Sequence, residues 1–263
     1  MRGFIVEDDK RFVYLKKLLE EAGDIVEPSL LHYVKLDYIV FGLKGPDEMG
    51  HYKENSQTRL LADNFFESLQ KGCKIYTFVD SPYLQRTAQK YELVYQAFEK
   101  DEQVVLGNAD LTSEAVMAYL ISKRARKLKD STLTIIGYGH LAKSLIKYLQ
   151  PFVKSIKVVL RNPKYDQEIK RFGTPYRFEQ TDYFDSDILI NTVPCRLFGK
   201  AELKKIKSDS IFLDVSSFPY SFDIDEALEC QVDAHILPGL PGKYAYQDAA
   251  KLLFYAITEG RYV

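Results

Sequence analysis

The chain has 263 residues, 46% apolar and 28% charged, which is enough to bury two cores and too apolar for a disordered chain or a stapled mini-protein. Its 36 basic and 37 acidic residues nearly cancel, so no overall field draws it to nucleic acid or to an anionic membrane. Three cysteines without CxxC spacing suggest neither a disulfide framework nor a thiolate zinc site and fit a reducing cytoplasm, and no signal peptide or membrane span is read from the apolar runs.

Short β-branched or aromatic runs alternate with amphipathic stretches, the pattern of parallel strands covered by helices. The reading places a strand at 4–7, a helix at 9–22 stopped by Gly23, a short strand at 24–26 and a buried strand at 36–43, followed by a loop to about 56. A helix at 62–70, a strand at 74–79, a helix at 82–91 and a strand at 93–98 complete a first α/β unit. A long helix follows at 110–127, with Asp110 as N-cap and Lys123, Arg124, Arg126 and Lys127 at its negative end. The second unit has strands at 132–136, 156–160, 188–191, 211–215 and 233–236, with helices at 141–149, after the second strand through about 171, and at 224–229. An amphipathic helix at 247–259 ends the series. The expected fold class is α/β with two doubly wound parallel-sheet domains, one flavodoxin-like and one Rossmann-type. The segments are an N-terminal substrate-side domain 1–110, an interdomain helix 111–128, a dinucleotide domain 129–243, and a C-terminal helix 244–263 returning to the first domain.

The sharpest motif is Gly137-Tyr138-Gly139-His140-Leu141-Ala142, a G-x-G-x-x-A turn between an apolar strand and a helix. Gly137 permits the tight turn, Gly139 lets backbone approach a pyrophosphate, and Ala142 allows close helix packing. At the next strand tip a carboxylate would take the ribose hydroxyls of NAD, but the sequence is Leu160-Arg161-Asn162. Arg161 suits a 2′-phosphate, which favours NADP with NAD as the alternative, unless it is only a surface arginine. Two further strand tips, Asn191-Thr192-Val193-Pro194 and Asp214-Val215-Ser216, are expected to face the nicotinamide side or else to cap turns. Leu237-Pro238-Gly239-Leu240-Pro241-Gly242 reads as a rigid loop, either a ligand contact or a connector. The histidines at 32, 51, 140 and 235 share no spacing, so no metal site is expected.

These blocks resemble the dipicolinate synthase A-chain family of spore-forming bacteria. The resemblance rests on Gly137 to Ala142, Ile190 to Pro194, Leu213 to Ser217 and Leu237 to Gly242 in the same order and spacing, and on Asn108 to Ala115 upstream. It implies NADP-linked oxidation of a cyclic dicarboxylate of the lysine pathway to dipicolinate for spores, in the cytoplasm. It also implies a possible partner, a flavoprotein-like B subunit, and a homo-oligomer, with no nucleic acid or membrane partner. The chain departs from the family at Val6-Glu7-Asp8-Asp9, where a glycine pair precedes the acid, at Leu111 and Ala115, where proline and glycine are usual, and over 243–250.

For a dicarboxylate, fixed positive charge is expected from Arg11 and hydrogen-bond donors from Asn108, Thr112 and Ser113 at a helix start, with Gly239 and Leu240 closing the site. Glu114 is the candidate acid/base, or alternatively a dipole-matched cap. Two other readings stand beside this one. One is a different two-domain NAD(P)-dependent oxidoreductase acting on a hydroxy or keto acid, weakened because no histidine–carboxylate pairing is read near residue 235. The other is a non-catalytic dinucleotide-binding regulatory subunit.

Overall fold

The structure is a computed structural model, and it describes residues 1–30, 35–123 and 127–258. His32, Arg124, Arg126 and Glu259 lie outside the described residues. The chain divides into two units, the first made of 1–108 with 241–263 and the second of 109–240.

In chain order the first unit contains β1 (Arg2–Ile5), α1 (Lys10–Glu21), β2 (Ile25–Val26), β3 (Tyr38–Val40), β4 (His51–Glu54), β5 (Gln57–Leu60), α2 (Phe65–Ser68), β6 (Lys74–Thr77), α3 (Pro82–Lys90) and β7 (Val94–Ala97). Helix α4 (Glu102–Lys123) carries the chain across the division between the units. The second unit continues with β8 (Thr132–Ile136), α5 (His140–Leu149), β9 (Ser155–Val159), α6 (Asp166–Ile169), β10 (Thr174–Tyr176), β11 (Ile188–Asn191), α7 (Lys200–Leu203), β12 (Ile211–Asp214), α8 (Ile224–Glu229) and β13 (Asp233–Ile236). Helices α9 (Leu240–Tyr244) and α10 (Tyr246–Thr258) follow.

The first unit is a parallel five-stranded sheet in the order β2-β1-β3-β6-β7, and the second a parallel six-stranded sheet in the order β10-β9-β8-β11-β12-β13. These are the flavodoxin-like and Rossmann strand orders. In each, strand order reverses beside the first strand of the unit, which opens a ligand crevice beyond the strand tips: at β1/β3 in the first unit and at β8/β11 in the second.

Helix α1 begins where the Asp9 side chain accepts from the Arg11 amide, and it buries Phe12, Leu15 and Leu19. Those residues share a core with Ala250, Leu253 and Ile257 of α10, so the C-terminal helix completes the first unit. In the second unit α5 buries Ala142, Leu145, Ile146 and Leu149 against Leu133, Ile135, Ile156 and Val158 of the sheet.

Several elements differ from the sequence reading. Residues 51–60 form an antiparallel hairpin, whose first strand and turn lie where a loop to about 56 was expected. Its two-residue turn places Asn55 at φ 48 and Ser56 at φ 65, the twist that lets strands return tightly. Strand β10 and the short helix α9 also arise in stretches read as irregular. Helix α4 starts at residue 102, not 110 or 111, capped by Asp101, whose carboxylate accepts from the amides of Gln103 and Val104. Gly107 does not break it, because a Cβ there would come within 2.5 Å of Leu252 Cδ2, so the glycine is a close-packing point against α10. The 22-residue α4 has the length and apolarity of a membrane span, but Val104 lies in the core of the first unit and Val116 and Leu120 in that of the second.

Candidate functional site

The crevice of the second unit is shaped by glycine. Gly137, directly after β8, sits at φ +101, and a Cβ there would strike Thr192 Oγ1. Thr192 is fixed in place because its amide and its hydroxyl both donate to the Ile136 carbonyl, at 3.0 and 2.8 Å. Gly137 is therefore required both by backbone conformation and by the tip of β11. Gly139 is the N-cap of α5; no side chain caps that helix, and nothing lies within 4 Å of where a Cβ would stand. The helix start is uncapped, with open space before it and exposed Gly139 and His140 beside it, so its first amides are left without side-chain partners. Leu141 is half-buried and Ala142 is fully buried beneath the turn, where its small side chain lets α5 pack closely on the sheet.

At the tip of β9, Arg161 and Asn162 are exposed, and no acid stands among Leu160, Arg161 and Asn162. The Arg161 guanidinium lies 5.8 Å from the Phe178 ring and makes no ion pair among the described residues. The Asn162 carboxamide oxygen is occupied by the Lys164 amide at 3.0 Å. Beside this tip stands a cluster absent from the sequence reading. The Tyr138 hydroxyl donates to Glu168 at 2.8 Å, Lys143 Nζ lies 3.7 Å from the same carboxylate, and that ammonium sits 4.9 Å from the Tyr138 ring and 5.3 Å from the Tyr165 ring. Burial and the Glu168 carboxylate hold the Tyr138 phenol well above its usual range.

The tips of β11 and β12 are tied together below the crevice. Asp214 is fully buried, and its carboxylate accepts from Asn191 Nδ2 at 3.1 Å, from the Ser216 amide and hydroxyl at 2.9 and 2.7 Å, and from the Ser221 amide and hydroxyl at 2.6 Å each. Asn191, also buried, completes the knot by donating to the Val193 carbonyl and accepting from the Val193 amide. Asp214, Asn191 and Ser216, expected to bind the cofactor, are buried and bonded to one another, so their side chains hold the shape of the two strand tips. Thr192 and Val193 are half-buried and Pro194 exposed at the β11 tip itself. Ser221, absent from the sequence reading, is a fully buried partner in this knot.

Four substrate-side expectations change with the start of α4. Residues 110–114 lie inside the helix, so they offer no free amides. Ser113 is buried with its hydroxyl 2.9 Å from both the Ala109 carbonyl and the Ser144 hydroxyl, and Thr112 is buried as well. Glu114 is exposed mid-helix with the Tyr148 hydroxyl 3.4 Å away, not at a helix start. Asn108 is half-buried in α4. Leu240 is a core residue, only 2% exposed, whereas Gly239, at φ +66, faces open space. A histidine–carboxylate contact does exist near residue 235, contrary to the sequence reading: His235 Nε2 lies 2.8 Å from Asp233 Oδ1, on the edge strand, with the imidazole edge-on to Tyr119.

The first unit has its own charged crevice. Arg11 is buried, with 4% of its side chain exposed; its Nε donates to both Asp9 oxygens at 3.1 and 2.8 Å, and its guanidinium lies 5.2 Å from the Phe78 ring. Its two terminal nitrogens donate to nothing among the described residues. Asp8, named in the sequence reading only as part of a departure from the family pattern, accepts from the Leu43 amide at 2.8 Å through one oxygen, and its other oxygen is buried without a partner. Burial pushes this carboxyl up to about 6 and Asp9 adds to the rise, while the Leu43 amide and the Arg11 charge pull against it.

Comparison with known proteins returns the resemblance seen in the sequence. Residues 101–217 match the family model of the D-isomer specific 2-hydroxyacid dehydrogenase NAD binding domain. The dipicolinate synthase A chain of Bacillus subtilis (strain 168) is 24% identical over 198 residues, which cover 74% of this chain and 66% of that protein, just under two thirds of its length. The protein is similar to dipicolinate synthase A chains. In fold, the crystal structure of the one from Bacillus halodurans superposes with a TM-score of 0.87 at 18% identity, covering 98% of this chain and 96% of that one. The crystal structure of the one from Bacillus subtilis gives 0.85 at 17%, covering 98% and 95%. The matched NAD-binding domain supports a nicotinamide dinucleotide as cofactor and oxidoreduction as the reaction class.

Proposed function

We propose that the chain is an NADP-dependent oxidoreductase of the dipicolinate synthase A type, which oxidises a cyclic dicarboxylate, a dihydrodipicolinate or its hydroxylated precursor, toward a pyridine dicarboxylate. The observation that carries this reading is the uncapped start of α5, where open space before Gly139 fits a diphosphate. When bound, the nicotinamide supplies the hydride acceptor. This chain's residues supply position and charge: the α5 amides take the diphosphate, and the unpaired Arg161 takes a 2′-phosphate through charge-assisted hydrogen bonds. Gly137 and Thr192 set the floor of the turn. The unengaged nitrogens of Arg11 present a fork matched to one substrate carboxylate. Aromatisation of the ring makes the overall step downhill. A B-type partner, a homo-oligomer and a cytoplasmic setting belong to the same reading, by analogy with the relative it resembles.

Titration of NADPH fluorescence tests it. Saturable binding is expected, and Gly139→Asp, which sets a carboxylate against the diphosphate, should weaken it by at least about a hundredfold. Unchanged binding in that variant overturns the assigned loop.

A second reading, a protein that binds the dinucleotide without chemistry of its own, is favoured by the inward packing of Thr112, Ser113 and Leu240. Absence of a pyridine-dicarboxylate absorbance band when a B-type partner is mixed with the chain, the lysine-pathway intermediate and NADP, with cofactor bound, would select it.

A further inference from the structure

The first unit has a reversal of strand order at β1/β3, and such reversals open crevices beyond the strand tips. Three tips meet there: Asp8 and Asp9 after β1, Gly42 and Leu43 after β3, and Phe78 after β6, whose amide donates to the Gly42 carbonyl. Two side chains in this crevice are unsatisfied in opposite senses. Arg11 is buried with its terminal nitrogens unengaged, and Asp8 is mostly buried with one oxygen unpartnered.

Arg11 is held rigidly. Asp9 grips its Nε, the Phe78 ring lies beneath its plane, and Gly242 passes so close that a Cβ there would come within 2.6 Å of a terminal nitrogen and 2.8 Å of Asp9. A guanidinium fixed by its Nε and set over an aromatic ring keeps its outer fork oriented, so little conformational freedom is lost when a carboxylate is captured. Asp8 is held on one side by the turn after β3. Gly42, at φ +74, lies against its carboxyl, and a Cβ on that glycine would fall 2.5 to 2.7 Å from its atoms. The Leu43 amide binds Oδ2 and leaves Oδ1 alone.

A second carboxylate brought to Arg11 meets the negative charge of Asp8 in a site with little water to screen it. We propose that Asp8 is a proton gate on carboxylate capture in the β1/β3 crevice: Arg11 takes a ligand carboxylate together with one solvent proton, which comes to rest on Asp8. The balance is simple, one carboxylate and one proton taken up, with no bond made or broken elsewhere. Asp8 is thus a specificity-determining residue, admitting an anionic ligand in its protonated state and repelling it when ionised. The charges acting on Asp8 are those of Asp9 and Arg11 on its own segment. The Gly42–Leu43 turn packed against it brings a backbone amide and no ionisable group, Gly242 brings none, and neighbouring Glu7 is engaged with Lys16 at 2.8 Å. Its carboxyl already holds its proton more tightly than an ordinary aspartate, so the gate operates near neutral pH.

This inference rests on the substrate side of the proposed function, and its test separates the two. Pyridine-2,6-dicarboxylate, ionised on both carboxyls from pH 5.5 upward, is titrated into the full-length chain by calorimetry from pH 5.5 to 8. The titration uses two buffers of different ionisation enthalpy, and NADPH binding is measured on the same preparations as a check on each variant's fold. The wild type should bind with uptake of about one proton near pH 7, and its affinity should fall by roughly tenfold per pH unit above the Asp8 titration. Asp8→Asn should bind with no proton uptake and a flat pH profile, Asp8→Glu should retain the slope, and Arg11→Gln should lose binding at every pH. A flat wild-type profile, or a slope that survives in Asp8→Asn, overturns the gate while leaving Arg11 as a carboxylate site. No binding by the wild type or Asp8→Asn at pH 5.5 overturns both. Failure of NADPH to bind at all defeats the oxidoreductase reading instead, and the dicarboxylate titration still decides the gate.

Discussion

The two crevices of this protein share a topology and differ in chemistry. Each opens where strand order reverses, and each has a left-handed glycine after an inner strand: Gly137 at φ +101 in the second unit and Gly42 at φ +74 in the first. In the second unit the glycine packs against the Thr192 hydroxyl and the next glycine leaves a helix start bare. In the first it packs against the Asp8 carboxyl, and the helix start is already filled by Asp9. The same backbone solution thus leaves a helix start without a side-chain cap in one unit and sets a buried carboxyl beside a buried guanidinium in the other. Topology places a crevice; the two or three side chains at its lip decide what enters.

The largest expected effect separates the two glycines. Gly137→Ala should destabilise the protein by about 3 kcal/mol, since it adds left-handed strain and overlap with a Thr192 fixed by two hydrogen bonds. Gly42→Ala should cost about half as much, because the neighbouring Asp8 is anchored by a single amide and can swing aside. Chemical denaturation of both variants checks the ratio, and equal losses would break the comparison. Next in size is Arg161→Ala, which should weaken NADPH by about tenfold and leave NADH within about threefold, read by fluorescence titration. Equal weakening of both would remove Arg161 from phosphate recognition. The smallest concerns stability. The Asp8 carboxyl is raised to about 6 in the fold from 3.8, so the native state binds the extra proton and wild-type stability falls as pH rises through that window. Asp8→Asn removes this fall, so its melting temperature should exceed the wild type's by a few degrees at pH 8 and match it at pH 4.

What was legible in the sequence follows from the range of the forces involved. The turn at 137–142 could be read directly because its requirements are local: a positive φ at Gly137, no side chain at Gly139, a small one at Ala142. The alternating strands and helices were legible for the same reason. The start of α4 was not, because Asp110 has the chemistry of an N-cap and Gly107 that of a breaker, and only Leu252, far along the chain, explains why a glycine belongs inside that helix. That one displacement turned Thr112 and Ser113, expected helix-start donors, and Glu114, the expected acid/base, into mid-helix residues. The hairpin at 51–60 did carry a signal, alternating residues around Asn55-Ser56, in a stretch whose polar composition reads as loop. Asp8 stood out only as a departure from the family pattern, since its lone oxygen is created by residues 42 and 43 and not by its neighbours in sequence.

The return of α10 to the first unit has a consequence for biogenesis. The second unit is one unbroken stretch, 109–240, whereas the first is assembled from 1–108 and a segment that begins at 241. During translation the middle of the chain can therefore finish folding while the opening segment still lacks the helix that covers Phe12, Leu15 and Leu19. Until α10 leaves the ribosome, those three side chains lack one wall of their core, so the opening segment is expected to complete its packing after the middle of the chain.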